Sequence, residues 1–194
     1  MAELVSNTSG YVRNRIHPLK FALWVGLASI TMMFGAMTSA YVVRQAAGNW
    51  LEFSLPNIFF ISTFVLLLSS LTLHISYRSF LAGNQSRYRG LLIATFILGL
   101  AFVMLQYQGW MELFSIGIDL KGNPSGSFLY VITGVHAVHV MGGLAALVVA
   151  LINCFTLRFK VTERRKINFE LTLHYWHFVD LLWVYLLFFL YLSR

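Results

Sequence analysis

The sequence predicts an all-α, polytopic membrane protein: a bundle of five transmembrane helices. Three observations carry this. Hydrophobic residues make up 58% of the 194 and charged residues only 11%, where a soluble surface needs far more charge. The mean hydropathy is +0.72. The apolar runs reach the ~20 residues that cross ~30 Å of hydrocarbon as helix, and they are continuous, whereas strands of a membrane barrel alternate over about ten residues. A single membrane domain over 1–194 is expected, with no soluble domain appended.

The first helix is expected over 18–45, with Pro18 at its first position, where a missing N–H costs nothing. The second is expected over 56–80, starting at Pro56 with Ser54 as cap, and the third over 88–113. The fourth, over 127–159, follows the turn signal Asn123-Pro124-Ser125-Gly126. The fifth runs over 169–193. Connections are short, so neighbours should be antiparallel. The polar, basic start MAELVSNTSGYVRNRIH does not read as a secretory signal, because the apolar run after it is too long.

Basic residues give an orientation. Arg13, Arg15 and Lys20 precede or open the first helix, Arg78, Arg87 and Arg89 lie between the second and third, and Arg158, Lys160, Arg164, Arg165 and Lys166 lie between the fourth and fifth. These are eleven of the fourteen basic residues, against Arg44, Lys121 and Arg194 at the other side. The positive-inside rule then places the N-terminus in the cytoplasm and the C-terminus outside. The net charge of +7 therefore reads as topology and contact with anionic lipid, not nucleic-acid binding. The lone Cys154 excludes an internal disulfide or CxxC site and reads as a small apolar filler. There is no Gly-rich phosphate loop. Trp50, Tyr107 and Trp110 fall near outer ends, where amphipathic rings favour the interface. Gly142, Ala146 and Ala150 form a small-residue stripe for close helix packing.

Polar residues inside these runs are the candidates for function. His136 and His139 lie in GVHAVHVMGG and His174 and His177 in HYWHFVD, each pair sharing a helix face at i, i+3. A shared metal or haem site competes with structural hydrogen bonding as the role of these four rings. In antiparallel helices His139 and His177, the nearest pair in depth, are offset by roughly 10 Å along the normal, which bonds near 2 Å cannot bridge. The acids needed for a di-iron carboxylate site are too few. The histidines are therefore read as structural or interfacial polar groups, within the chain or toward a partner subunit. Asp180, the one acid deep in an apolar run, should have a partner, either His177 or a polar group on a neighbouring helix or subunit; a proton relay is the alternative. Glu170 reads as solvated, and His17 and His74 as interfacial. No nucleophile–base arrangement and no catalytic, cofactor or metal residue is assigned. An independent transporter or a His-ligated redox protein stays open as a different class, although no internal repeat or broken helix pair favours a transporter.

Two stretches resemble subunit III of the haem-copper oxidases. Ser127 to Gly142 is similar to that family's Thr-Gly, two histidines three apart, then Val and Gly, here Thr133, Gly134, His136, His139, Val140 and Gly142. Tyr175-Trp176-His177-Phe178-Val179-Asp180-Leu-Leu-Trp183 resembles its Trp-His-Phe-x-Asp-x-x-Trp. Weaker echoes lie at Leu55-Pro56, at Ser62-Thr63 with Ser69-Ser70 and Thr72, and at QYQGWME with Glu112. The chain looks like the five-helix form, without the first two helices of longer members and the lipid-filled cleft they bound. It departs from the family at Ser29 or Ile30, where many members carry an acid, and at Gly109, where relatives often have Glu. The resemblance implies an accessory subunit that binds no haem or copper itself, holds a phospholipid in some members, stabilises the catalytic subunit and supports its proton uptake. Its expected partners are catalytic subunit I, which carries haem and copper, and subunit II, in a bacterial inner membrane. A quinol oxidase or nitric oxide reductase would use the same family, so the electron donor is left open.

Overall fold

The computed structural model describes residues 17–193, so Arg13, Arg15 and Arg194 lie outside the described residues. Five helices follow one another: α1 (Pro18–Ala46), α2 (Ile58–Leu81), α3 (Gln85–Ser115), α4 (Pro124–Thr156) and α5 (Glu163–Leu192). Each is long and apolar enough to cross a membrane. Among the described residues there is no strand.

Local chemistry sets the boundaries and corrects several expected ones. α2 begins two residues after Pro56. Ser54 does not cap it, and Asn57 at the cap makes no side-chain bond. α4 starts at Pro124, because Asn123 Oδ1 accepts from Ser125 N at 3.0 Å and the proline stands where no N–H is needed. It stops at Thr156, three residues short of expectation. α5 starts at Glu163, six residues early: Thr162 caps it, and the basic turn that follows is helical rather than loop. The tight turns after α1 and α3 use glycine where a side chain is strained, Gly48 at φ 82° and Gly117 at φ 85°.

α5 is the hub. It contacts α1, α2 and α4, while α3 packs on α2 and α4, and α1 reaches only α4 and α5. Paired residues give the directions. Thr63 meets Trp183 and Ser69 meets Trp176, so α2 and α5 are antiparallel. Thr38 meets Tyr185 and Lys20 meets Glu170, so α1 and α5 run parallel. At the end opposite Lys20, Tyr41 is ringed edge-on by Trp50, Phe128 and Phe189. Trp50 is thus half-buried in an aromatic cluster and not simply an interfacial ring. Tyr41 Oη and Gln45 Nε2 both donate to Ser193 O, tying the end of α5 to α1.

Candidate functional site

Several polar residues of the two family-like stretches are used as pairs between helices. Trp176 and Trp183 stand seven residues apart, two turns, so both indoles leave one face of α5. α2 offers short hydroxyls on Thr63 and Ser69, six residues apart and so within one residue of that spacing. Trp176 Nε1 donates to Ser69 Oγ at 2.8 Å and Trp183 Nε1 to Thr63 Oγ1 at 2.9 Å. α3 is joined to α2 by Gln106 Nε2, which donates to Ser62 Oγ at 2.9 Å, and by the Thr72 and Thr95 hydroxyls, also 2.9 Å apart. Trp110 Nε1 donates to Thr133 Oγ1 at 3.0 Å, linking α3 to α4. Hydrocarbon offers these donors no water, so each must be met inside the protein. Such bonds contribute on the order of 0.6 kcal/mol apiece.

Trp176 is the point where four helices meet. Its ring is 1% exposed. A Cβ placed on Gly143 of α4 would lie 2.8 Å from its Cε3, and one on Gly99 of α3 would lie 2.9 Å from its Cη2. The indole therefore sits between two glycines and is tethered to Ser69. This revises the small-residue stripe. Gly142 would bring a Cβ only to 3.3 Å from the Tyr175 hydroxyl, and it is exposed, while its neighbour Gly143 is the buried close-approach position. Ala146 and Ala150 line an open groove between α4 and α5. Gly109 also has a steric reason, since its Cβ would fall 2.8 Å from the Phe59 ring, leaving no room for a longer side chain.

The four histidines are not equivalent. His177 Nδ1 pairs with Ser70 Oγ across the α2–α5 seam. His139 and His174 instead bond their own helix, through Nδ1 to the carbonyls of Val135 and Glu170. His136 is fully buried and neither ring nitrogen has a hydrogen-bond partner. It is held as an aromatic ring, stacked on Trp183 at 5.0 Å with Phe34 and Phe102 edge-on. Asp180 is 3% exposed, and neither carboxylate oxygen makes a hydrogen bond among the described residues. His177, the expected partner, is turned to Ser70, whose hydroxyl lies beside Asp180 without bonding it in good geometry. Among the described residues no three His, Cys, Asp or Glu side chains gather in an arrangement that could hold a metal ion. Glu112 is exposed at the far end of α3, with no side-chain bond among the described residues.

Charge concentrates at the end where α1 and α5 begin. Glu170 is not solvated there. At 14% exposure it takes an ion pair from Lys20 of α1 at 2.5 Å and a hydrogen bond from Tyr77 of α2 at 2.6 Å. The clasp bridges two helices whose Cα atoms nowhere come within 8 Å of each other. Arg165 donates to Asn153 O at 2.8 Å and Arg158 O at 2.8 Å, and Arg89 to Cys154 O at 3.2 Å. These meet carbonyls in the last turn of α4 and just past it, a position that also favours cations. Two residues read as topology signals thus cap a helix as well. Sequence reasoning noted Thr63 and Ser69 only as weak family echoes, and passed over Gly99, Gly143 and the Lys20–Glu170–Tyr77 clasp.

Fold and site together define a five-span α-helical integral membrane protein whose buried polar groups lock its helices to one another. Comparison with known proteins adds the family. The chain belongs to the cytochrome c oxidase subunit III family, whose model matches residues 18–193. It is the family of an accessory subunit of the haem-copper oxidase, and hence part of an oxidoreductase complex. The chain is 30% identical over 206 residues to a probable cytochrome c oxidase subunit 3 of Mycobacterium tuberculosis, covering 100% of both chains. It is 29% identical to the probable subunit 3 of Nocardia farcinica, covering 95% of each. Against the rat cytochrome c oxidase subunit 3 it is 33% identical over 126 residues, which is 65% of this chain and 46% of that protein.

Proposed function

We propose that this chain is a cofactor-free accessory subunit. It packs against a catalytic subunit that carries haem and copper, with subunit II in the same complex, stabilises that subunit and supports its proton uptake during oxygen reduction. One observation carries the reading. Both tryptophans of the second family-like stretch are committed to helix–helix locks, Trp176 with Ser69 and Trp183 with Thr63, and among the described residues the His, Cys, Asp and Glu side chains do not converge into a ligand set. A chain organised in this way contributes a shaped, stable surface, and the redox chemistry belongs to its neighbour. The N-terminus lies on the cytoplasmic side in this reading. Support comes from the antiparallel pairing, which collects Lys20, Arg78, Arg87, Arg89, Arg158, Lys160, Arg164, Arg165 and Lys166 at one end of the bundle. A groove of about 640 Å³ opens at that end between α4 and α5. Arg164, Arg165 and Asn168 stand at its mouth and Ala146, Val149 and Leu171 run along it, which suits the headgroup and acyl chain of an anionic phospholipid.

Purification in mild detergent tests this function. A tagged chain is expected to bring down a haem-containing polypeptide, and the chain released from it should show no stoichiometric haem band. A chain that always runs alone, or that holds haem by itself, refutes the proposal.

A further inference from the structure

We propose that the trough between α1 and α2, floored by α5, seats a transmembrane helix of a partner subunit that carries hydroxyl or amide side chains at the depth of His74 and His174. This rests on reading the chain as a subunit of a larger membrane complex.

The trough exists because α1 and α2 both pack on α5 while their own Cα atoms nowhere come within 8 Å of each other. Between them α5 exposes a stripe at helical spacing: His174, then Leu181 at 70% and Phe188 at 62% exposure. The Lys20–Glu170–Tyr77 clasp closes its charged end. His174 lies four residues beyond Glu170, roughly 6 Å further along the axis. His74 lines the α2 wall, exposed, with its ring 5.9 Å from that of His177.

The occupant is read from the hydrogen-bonding chemistry. Acyl chains satisfy no polar group, and side chains of this kind in a membrane span face protein or a water-filled cavity. His74 lies seven residues inside the end of α2 and His174 eleven residues inside the start of α5, roughly 10 and 16 Å along the axes and deeper than the end turns that headgroups and water reach, so the cover is read as protein. His174 Nδ1 donates to the Glu170 carbonyl, which leaves Nε2 of the neutral ring as an acceptor with nothing to accept from. The ring nitrogens of His74 have no hydrogen-bond partner among the described residues. The cover must therefore donate to one ring and both donate and accept at the other, as Ser, Thr, Asn or Gln side chains do. Glu170, the acid at the foot of the trough, is already held by Lys20 and Tyr77 and is not available to serve them.

Two experiments on the whole complex test the proposal. First, His74→Leu combined with His174→Leu is compared with wild type for haem co-purifying per subunit. A protein cover predicts a loss of about tenfold, the effect of removing two interhelical polar contacts. A lipid cover predicts unchanged or improved recovery, since leucine suits hydrocarbon better than histidine, and that result overturns the proposal. Second, a photo-crosslinker is attached at Leu181→Cys or Phe188→Cys, with Val138→Cys on an exposed face of α4 as comparison. Cross-links from the two trough positions to another polypeptide, identified by mass spectrometry, support it. Cross-links to lipid alone, or to protein only through position 138, overturn it while leaving the accessory-subunit reading intact. Failure of the wild-type chain to recruit any haem protein removes both.

Discussion

Replacing Gly143 with alanine inserts one methyl group at the most constrained point of the bundle. The new carbon would lie 2.8 Å from Cε3 and 2.9 Å from Cζ3 of Trp176. Ordinary contact begins near 3.4 Å, so α4 and α5 must part by about 0.6 Å locally, or the indole must move. The indole has little freedom. Its far edge already faces Gly99 at a distance that leaves no slack, and its Nε1 is fixed on Ser69 Oγ at 2.8 Å. Overpacking of this kind costs about 1–3 kcal/mol. If the ring yields by breaking the Ser69 bond, the orphaned indole N–H costs a similar amount, about 1–3 kcal/mol. Either route gives a destabilisation of about 2 kcal/mol, by a methyl group in a segment where alanine is the better helix former. The assay is reversible unfolding in mixed detergent micelles, followed by helical circular dichroism and by tryptophan emission. Gly134→Ala is the control, because a Cβ there meets nothing within 4 Å. If Gly143→Ala matches wild type within about 0.5 kcal/mol, the sandwich of Trp176 between two glycines is wrong.

Further outcomes follow from the same geometry. Ser69→Ala should destabilise by about 1–3 kcal/mol, because it leaves a buried indole donor unmet, whereas Ser69→Cys keeps a weak acceptor and should recover part of the loss in the same unfolding assay. Glu170→Gln keeps the bond from Tyr77 but uncouples Lys20, a half-exposed partner, so the expected cost is about 1 kcal/mol, with proteolytic nicking between α1 and α2 as a second readout. Arg165→Ala removes donors from Asn153 O and Arg158 O and should fray the end of α4, read as faster amide exchange there with the centre of the helix unchanged. Asp180→Ala should weaken assembly or slow turnover of the complex while leaving the haem spectrum of correctly assembled enzyme in place. An altered haem spectrum would show that Asp180 reaches the redox centre.

Much of the fold was legible in the sequence because a bilayer leaves few choices. Every apolar run of sufficient length must be helical and must satisfy its own backbone, so five runs give five helices. The boundaries were less legible. The cap at Asn123 and the helical basic turn after Thr162 depend on side-chain bonds that hydropathy does not register. The site was legible only in part. His177 and the two tryptophans stood out as polar or amphipathic groups in apolar surroundings, but their partners Ser69, Ser70 and Thr63 are common residues in membrane helices and carry no signal alone. His136 and His139 appeared as an equivalent pair, yet a rotation of 300° between positions three apart lets one ring stack on Trp183 while the other bonds its own helix.

By itself the sequence determined the class, the number of spans and the family to expect, because composition, run length and two dense motifs are properties of the chain alone. Tertiary structure decided which glycines are close-approach positions, that Asp180 stands without a hydrogen bond among the described residues, that Glu170 is clasped, and that α1 and α2 stand apart on α5. These depend on how helices rotate and cross, and rotation is fixed by side-chain contacts between segments far apart in the chain. Local periodicity cannot encode which of two adjacent glycines, 142 or 143, will face the indole across the seam.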